Sequence, residues 1–244
     1  MYNRDMAPDF RYQGFMDYGE SLASQREYVL LRSEENIPDT VLFVEHPPVY
    51  TVGRNETESR TIIEDIPVHK VDRGGKMTFH GPGQLVIYPL VDLMLFDRDI
   101  RKYVGFLTDT VIHLLRGYGL SAAELPGLPG VWIGARKICA VGIRINKINK
   151  RWIASHGLAL NVSVDQRYYA AISPCGLSSA SVTTMEAELG RVVDLTEVTG
   201  LYQEMFRKHY AILGKGVGKS DGSFASNKKA GRSVSSANAA DSLV

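Results

Sequence analysis

Apolar positions along the chain fall into short extended runs separated by a few helical stripes. Val41-Leu42-Phe43-Val44 is a continuous apolar run that reads as a buried strand. It ends at Glu45-His46-Pro47-Pro48, where the prolines stop a ladder. Val49-Tyr50-Thr51-Val52-Gly53 follows as an extended segment, and Val68-His69-Lys70-Val71 as a short, weak strand behind Pro67. Gln84-Leu85-Val86-Ile87-Tyr88 is a β-rich run closed by Pro89. Two longer strands are expected over residues 137–145 and 152–164, with Asn146-Lys147-Ile148-Asn149-Lys150 as their hairpin connection.

Helical spacing is clearest over residues 100–118. There Tyr103, Leu107, Val111, Leu114 and Tyr118 form one stripe and Gly119 is the terminator. Residues 18–34 predict a second helix with a looser face of Leu22, Gln25, Val29 and Leu30. Thr183-Thr184-Met185-Glu186 resembles a capping box with Gly190 as the stop. Asp194-Leu195-Thr196-Glu197 opens a last helix carrying Val198, Leu201, Tyr202, Met205 and Phe206. Beyond Leu213 the composition turns to Gly, Ser, Ala, Asn and Lys, with Phe224 the only aromatic. Residues 1–213 are therefore expected to form one α/β (α+β) domain, a mixed β-sheet flanked by helices, and 214–244 a disordered tail.

Composition narrows the function classes. Lys and Arg number 28 against 27 Asp and Glu in 244 residues, which disfavours a nucleic-acid binder with a broad basic face. No apolar run approaches the ~20 residues of a membrane span, and Met1-Tyr2-Asn3-Arg4-Asp5 has no apolar signal segment. Two cysteines, Cys139 and Cys175, fit a reducing compartment better than a disulfide framework, so a cytoplasmic location is expected.

Candidate chemistry centres on Cys175, in the loop-like stretch Ser173-Pro174-Cys175-Gly176. A loop thiol is accessible, and it becomes a strong nucleophile once a neighbouring cation or base favours the thiolate. A buried, inert thiol is the alternative, and Cys139, inside an apolar strand, reads that way. Lys137 opens the same strand as Cys139; it is either a solvated edge residue or a cation able to assist a thiol. Arg73-Gly74-Gly75 would let a backbone approach a ligand beside a fixed cation, and His80-Gly81-Pro82-Gly83 would hold His80 at the lip of a strand or leave it exposed in a tight turn. The glycines do not have phosphate-loop spacing. His156 could line a pocket or satisfy a backbone carbonyl, and His46 is ambiguous in the same way. No His, Cys or acidic pair shows metal-ligand spacing, so no metal is expected.

Five blocks in one order carry a resemblance. They are Glu45 to Arg54, Arg73 to Gln84, Gly130-Val131-Trp132 with Lys137 to Gly142, Ser155 to Val162, and Pro174-Cys175-Gly176 with Val182 to Met185. Together, over roughly residues 10–210, they resemble the lipoyl(octanoyl) transferase family, the LipB-type enzymes. The resemblance implies the fold of biotin and lipoate protein ligases and no cofactor. It also implies transfer of an octanoyl group from octanoyl-acyl carrier protein to a lysine of an acceptor domain. The acceptors would be lipoyl domains of 2-oxoacid dehydrogenase E2 subunits and the glycine cleavage H protein, with no nucleic acid or membrane as partner.

By the same resemblance, Cys175 carries the acyl thioester and Lys137 is the catalytic lysine. The acyl-binding segments match Arg73, Gly74, Gly75, Lys76, Met77, Thr78, Phe79 and His80, then Ala140, Val141 and Gly142, then Gly157, Leu158 and Ala159. His46 and His156 are candidate supports. The chain departs from the family pattern at Phe79, Cys139 and Ala154, none of which removes a catalytic group. An ATP-dependent ligase, an amidotransferase, a Cys–His hydrolase and a non-catalytic binding module are the rival readings.

Overall fold

The continuous apolar run at 41–44 becomes a strand buried on both faces, and this sets the layering of the molecule. In β2 (Thr40–Glu45), Val41 and Phe43 point into one core and Leu42 and Val44 into another. The structure, a computed structural model, describes residues 7–56, 65–172 and 182–216.

Around β2 are laid β1 (Asp9–Phe15), β6 (Gln84–Leu90), β7 (Ala123–Leu125), β8 (Leu128–Ile133), β9 (Arg136–Ile148) and β10 (Arg151–Asn161). They form a seven-stranded sheet in the order β1-β2-β6-β10-β9-β8-β7. β1 runs parallel to β2 and the remaining pairs are antiparallel, so the sheet is mixed. A second sheet has the order β4-β3-β5, built from β3 (Val49–Val52), β4 (Val68–Lys70) and β5 (Met77–His80).

One face of the large sheet carries α2 (Ile100–Gly117) and α4 (Leu195–Gly216). Tyr103, Leu107, Val111 and Leu114 of α2 and Val198, Tyr202 and Phe206 of α4 lie in the same core as Phe43 and Leu85. The other face carries α1 (Tyr18–Ser33) and, beside it, the small sheet. The short α3 (Met185–Leu189) precedes α4.

Several local readings shift. α1 buries Tyr18, Ser21, Gln25, Val29 and Arg32, whereas Leu30 is 52% exposed. The stripe is partly polar because its polar members are paired: Arg32 with Asp39, and Gln25 Oε1 with the His156 N–H. A hydrophobicity scan selects Leu30, which lies one residue off this stripe.

The hairpin is tighter than its composition suggests. Its strands run on through Asn146 to Ile148, and only Asn149 and Lys150 turn, with φ of 48° and 66°. This is the two-residue turn that suits the twist of paired strands. β10 stops at Asn161 rather than at 164, because the Val162 and Ser163 N–H groups both donate to the Gly83 carbonyl.

The α3 cap is Thr184, which accepts from the Ala187 N–H at 3.1 Å, one residue later than the capping box implied. Glu186 instead accepts the Val193 N–H. Gly190 ends α3 as expected, at φ 64°. β1, β5, β7 and β8 were not visible as strands in the sequence. α4 reaches Gly216, three residues past the expected domain end, and residues 217–244 lie outside the described residues.

Close packing of backbone on backbone makes Gly157 indispensable. A Cβ at Gly157 would stand 2.3 Å from the Ile87 carbonyl oxygen, whereas one at Gly105 in α2 meets nothing within 4 Å. Gly157→Ala is expected to lose about 1–3 kcal/mol or more and Gly105→Ala to gain about 0.5–1 kcal/mol. Urea melts of the two variants check both signs.

Candidate active site

Between the small sheet and the α1 face of the large sheet lies a cleft of about 800 Å3, open mouth included. Ala140, Val141 and Gly142 of β9 and Gly157, Leu158 and Ala159 of β10 line it from one side. Gly157 and Gly142 stand opposite each other in the β9–β10 ladder, so the two expected acyl-binding segments are neighbours in space. Arg73, Gly75 and Lys76 of the glycine-rich loop and Met77, Thr78 and His80 of β5 also line the cleft. Lys137 and His156 complete the expected residues that the structure brings together there.

Three expected residues do not line it. Phe79 is fully buried in the small sheet's own core, stacked on Tyr168 at 4.6 Å. The Gly74 N–H donates to the Ile143 carbonyl at 3.0 Å, pinning the loop to β9. His46 lies behind the wall: its Nδ1–H donates to the Met16 carbonyl at 2.8 Å, so Nε2 accepts from the Tyr88 hydroxyl at 2.9 Å. Cys175 lies outside the described residues, in the segment between Ile172 and Val182.

The cleft also gains residues that were not expected as site residues, among them Tyr18, Val86, Tyr88, Asn161, Tyr169 and Val182. The period-2 alternation of β6 holds the signal for Val86 and Tyr88, which share a face. The others needed the tertiary fold.

Lys137 is 6% exposed, which removes the solvated-edge reading. Its ammonium sits over the Trp132 ring, 4.8 Å from the centroid. Gly130, at φ 122°, permits this: a Cβ there would stand 2.5 Å from the Cys139 oxygen and 3.3 Å from Lys137 Cε. Val182 and Thr183 dock directly on this residue. Val182 forms a parallel bridge with Lys137, and the Thr183 N–H donates to the Lys137 carbonyl at 2.9 Å. Cys139 is completely buried, and burial pushes its thiol up to about 12. It is packing, as its strand position suggested.

Arg73 supplies the fixed cation, and its guanidinium acts as a strut. Nη1 donates to the Gly74 and Lys76 carbonyls, and Nη2 to Thr51 O and Oγ1. A relay continues from there. Thr51 Oγ1 contacts His80 Nε2 at 3.3 Å, and the His80 Nδ1–H donates to Gln84 Oε1 at 2.8 Å. Gln84 Nε2 donates to Phe79 O, Asn161 Oδ1 and the Tyr169 hydroxyl, and Asn161 Nδ2 reaches Thr183 O. His80 does stand at the end of β5, buried rather than exposed. Desolvation, reinforced by His46, lowers it to about 3, so it is a neutral link at physiological pH.

His156 is equally buried, and its ring bonds to a carboxylate rather than a backbone carbonyl: Nε2 lies 3.1 Å from Asp72 Oδ1. Desolvation, then the nearby Arg73 and Arg144, lowers it to about 3. The contact with Asp72 is therefore a hydrogen bond from a neutral ring and not an ion pair. Asp72 pairs ionically with Arg144.

Gly142, matched to an acyl-binding segment, leaves its space to the protein rather than to a ligand. A Cβ there would meet Arg73 Cδ at 3.0 Å and the Gly74 carbonyl at 3.1 Å, so this glycine admits the Arg73 loop. Among the described residues no group of three His, Cys, Asp or Glu could hold a metal ion.

Residues 17–207 match the family model described as lipoyl protein ligase A/B catalytic domain. The chain belongs to this family. Within it, the octanoyltransferase of Rubrobacter xylanophilus is 42% identical over 212 residues, covering 84% of this chain and 92% of the relative. That of Acidothermus cellulolyticus is 43% identical over 197 residues, covering 79% and 87%. The chain stands with these octanoyltransferases and is an acyltransferase. A lipoate-protein ligase A bound with ATP superposes with a TM-score of 0.68 at 17% identity, covering 84% of this chain and 86% of the other, and shares the fold.

The neutral histidines give a pH signature. Their folded pKa values lie below the unfolded value near 6.5. As pH falls below about 6.5, the unfolded chain therefore takes up protons that the folded one refuses, and stability falls until about pH 3. Each histidine contributes up to about 1.4 kcal/mol per pH unit. Urea midpoints at pH 7, 6 and 5 should decline, and His80→Gln should flatten the decline.

Proposed function

We propose that the protein moves an octanoyl group from octanoyl-acyl carrier protein to a lysine amine of a lipoyl-dependent carrier domain. Such domains occur in the E2 subunits of 2-oxoacid dehydrogenases and in the glycine cleavage H protein. The group would pass through a thioester on Cys175. The observation that carries this reading is Lys137, an ammonium buried in the wall of a largely apolar cleft, with its own strand bridged to Val182, a few residues beyond Cys175. The relatives named octanoyltransferases favour this chemistry over an ATP-dependent ligase of the same fold.

In the first step the Cys175 thiolate attacks the thioester carbon, and the carrier sulfur leaves and takes a proton from Lys137. In the second step the acceptor amine attacks the acyl-enzyme and gives up a proton to Lys137, and the Cys175 thiolate departs as the amide forms. One acyl bond is exchanged for another throughout, so no ATP enters the balance. An ordinary lysine amine, with a pKa near 10.4, arrives mostly charged, so it loses one proton to solvent before it attacks and passes the second to Lys137. The alkyl chain would lie along Ala140, Leu158 and Ala159, gaining roughly 0.8 kcal/mol per buried methylene. The proposed place of work is the cytoplasm. Among the described residues no helix is long and apolar enough to cross a membrane.

Intact-mass analysis after incubation with octanoyl carrier protein should show one acyl adduct. The adduct is expected to persist in Cys139→Ser and to be absent as a thioester in Cys175→Ser. Addition of a lipoyl domain should discharge it without ATP, and an absolute ATP requirement for labelling the domain would defeat the proposal. Lys137→Ala should slow adduct formation about 10²–10⁴-fold while leaving the folded state cooperative in a melt. Adduct formation at an unchanged rate would remove Lys137 from the mechanism.

A further inference from the structure

A second cavity, of about 590 Å3 with its mouth, lies between α1 and the β9–β10 hairpin. It is a space apart from the acyl cleft. Between the two, the ladder is filled at the Gly142–Gly157 pair, by Arg73 and the Gly74 carbonyl over one glycine and by the Ile87 carbonyl and Pro89 over the other. His156 is the residue the two linings share.

The wall of this cavity holds two buried polar atoms without a hydrogen-bond partner among the described residues, Gln25 Nε2 and His156 Nδ1. What their other ends do fixes their chemistry. Gln25 is 1% exposed, and its Oε1 accepts the His156 backbone N–H at 2.9 Å. Only the amide oxygen can meet an N–H, so the end left over is the NH2 group, a donor. The His156 ring is 2% exposed and neutral, kept so first by burial and then by the fields of Arg73, Arg144 and Arg26. Its Nε2 carries the proton, because it lies 3.1 Å from the Asp72 carboxylate. Nδ1 is therefore a bare acceptor. An unmet donor and an unmet acceptor are both costly in a packed wall. The bond from the His156 backbone to the Gln25 amide makes the two residues neighbours.

The rest of the lining says what would meet them. Two guanidiniums, Arg26 and Arg144, line the cavity against one carboxylate, Asp72, which pairs with Arg144. One positive charge is left over, so a ligand with one negative charge balances the site. A carboxylate suits a guanidinium and the Gln25 donor, but it has no hydrogen for Nδ1. That hydrogen has to come from a neutral group, since an ammonium would face the same cationic field that helps keep the ring unprotonated. A hydroxyl on the carbon next to the carboxylate meets both demands. Leu22, Val29, Leu30 and Ile148 add an apolar stretch to the lining.

We propose that this cavity binds a 2-hydroxycarboxylate with a short alkyl body. Its carboxylate takes the Gln25 N–H and the Arg26 guanidinium, its hydroxyl donates to His156 Nδ1, and its alkyl body lies on Leu22, Val29 and Ile148. The inference does not rest on the acyl-transfer reading; it adds a second ligand site to the fold.

Isothermal titration of the full-length protein with 2-hydroxy-4-methylpentanoate tests it, and saturable binding is expected. 4-Methylpentanoate lacks the hydroxyl and free leucine replaces it by an ammonium; each should bind at least about tenfold more weakly. Gln25→Glu keeps an oxygen for the His156 N–H and turns the donor into a second oxygen, whereas Arg26→Gln removes a charge from an exposed residue. Both should weaken binding at least about fivefold, and Arg26→Gln decides if Gln25→Glu does not melt cooperatively. Lys137→Ala, in the acyl cleft, should bind as the wild type does. Absence of saturable binding would mean that the cavity holds water only, and it overturns the proposal. Equal affinity for the three acids overturns it too, as does unchanged affinity in Arg26→Gln or a loss in Lys137→Ala. None of these outcomes touches acyl transfer, which the adduct mass tests by itself.

Discussion

The cleft exists because one buried guanidinium ties two sheets together. Arg73 sends Nη2 to Thr51 in the small sheet and Nη1 to the carbonyls of its own loop, at Gly74 and Lys76. The same loop reaches the large sheet through Gly74 N–H and Ile143 O. A buried charge is tolerated only where carbonyls and hydroxyls replace its water. This requirement, rather than apolar packing, holds the loop at a fixed height over β9. Gly142 completes the arrangement, since any Cβ there would push Arg73 away. The glycines of this loop and strand therefore define the walls of the cleft.

Lys137 shows the same principle with a different partner. Its stem passes beneath Gly130 and its ammonium rests over Trp132, so it keeps a favourable electrostatic contact in a place with little water. A β8 strand without the irregularity between Val131 and Trp132 would not bring that indole and that glycine to bear on one side chain. The backbone of Lys137 then receives Thr183 and Val182. One residue thus lines the cleft with its side chain and receives Val182 and Thr183 with its backbone.

The strongest elements were legible in the sequence for simple reasons. β2 and β6 are apolar on both faces because both faces of the sheet are covered, and α2 carries its stripe openly. The glycine-rich loop could be read from its residue types as a place of close backbone approach, whereas the β9 and β10 segments were expected at a cleft through the family resemblance. Three features stayed hidden. β5 lies inside a block dominated by Gly, Pro and Lys, whose local preference is for turns, and it forms a strand because β3 pairs with it. The α1 stripe also contains Arg32, which was not expected on it and whose burial depends on its pairing with Asp39. Lys137 is open between a solvated edge residue and a buried cation until the contacts of Trp132 and Val182 decide for burial. In each case a tertiary contact decided what local preference did not, and such a contact leaves no periodic trace.

An apolar ligand in this cleft would still face many polar side chains, and the hydrogen-bond relay resolves that conflict. Arg73, Thr51, His80, Gln84, Asn161 and Tyr169 direct donors and acceptors at one another, from the glycine-rich loop across to Thr183. Neutral His80 is essential to this order, because a protonated ring would present a second donor where the Thr51 hydroxyl already meets Nε2. With its polar atoms turned inward, the wall offers mainly carbon to the cleft, and an alkyl chain displaces little bound water from it. The polarity then works structurally: it fixes β5, β6 and β10 to one another more specifically than apolar contacts of the same area would, while the surface left for the ligand remains greasy. Tyr88 repeats the device on the opposite side by donating to His46, so its hydroxyl also has a partner inside the wall. A cleft built this way can hold a saturated chain in a site whose outer layer is polar enough to keep a buried ammonium and a buried guanidinium in register.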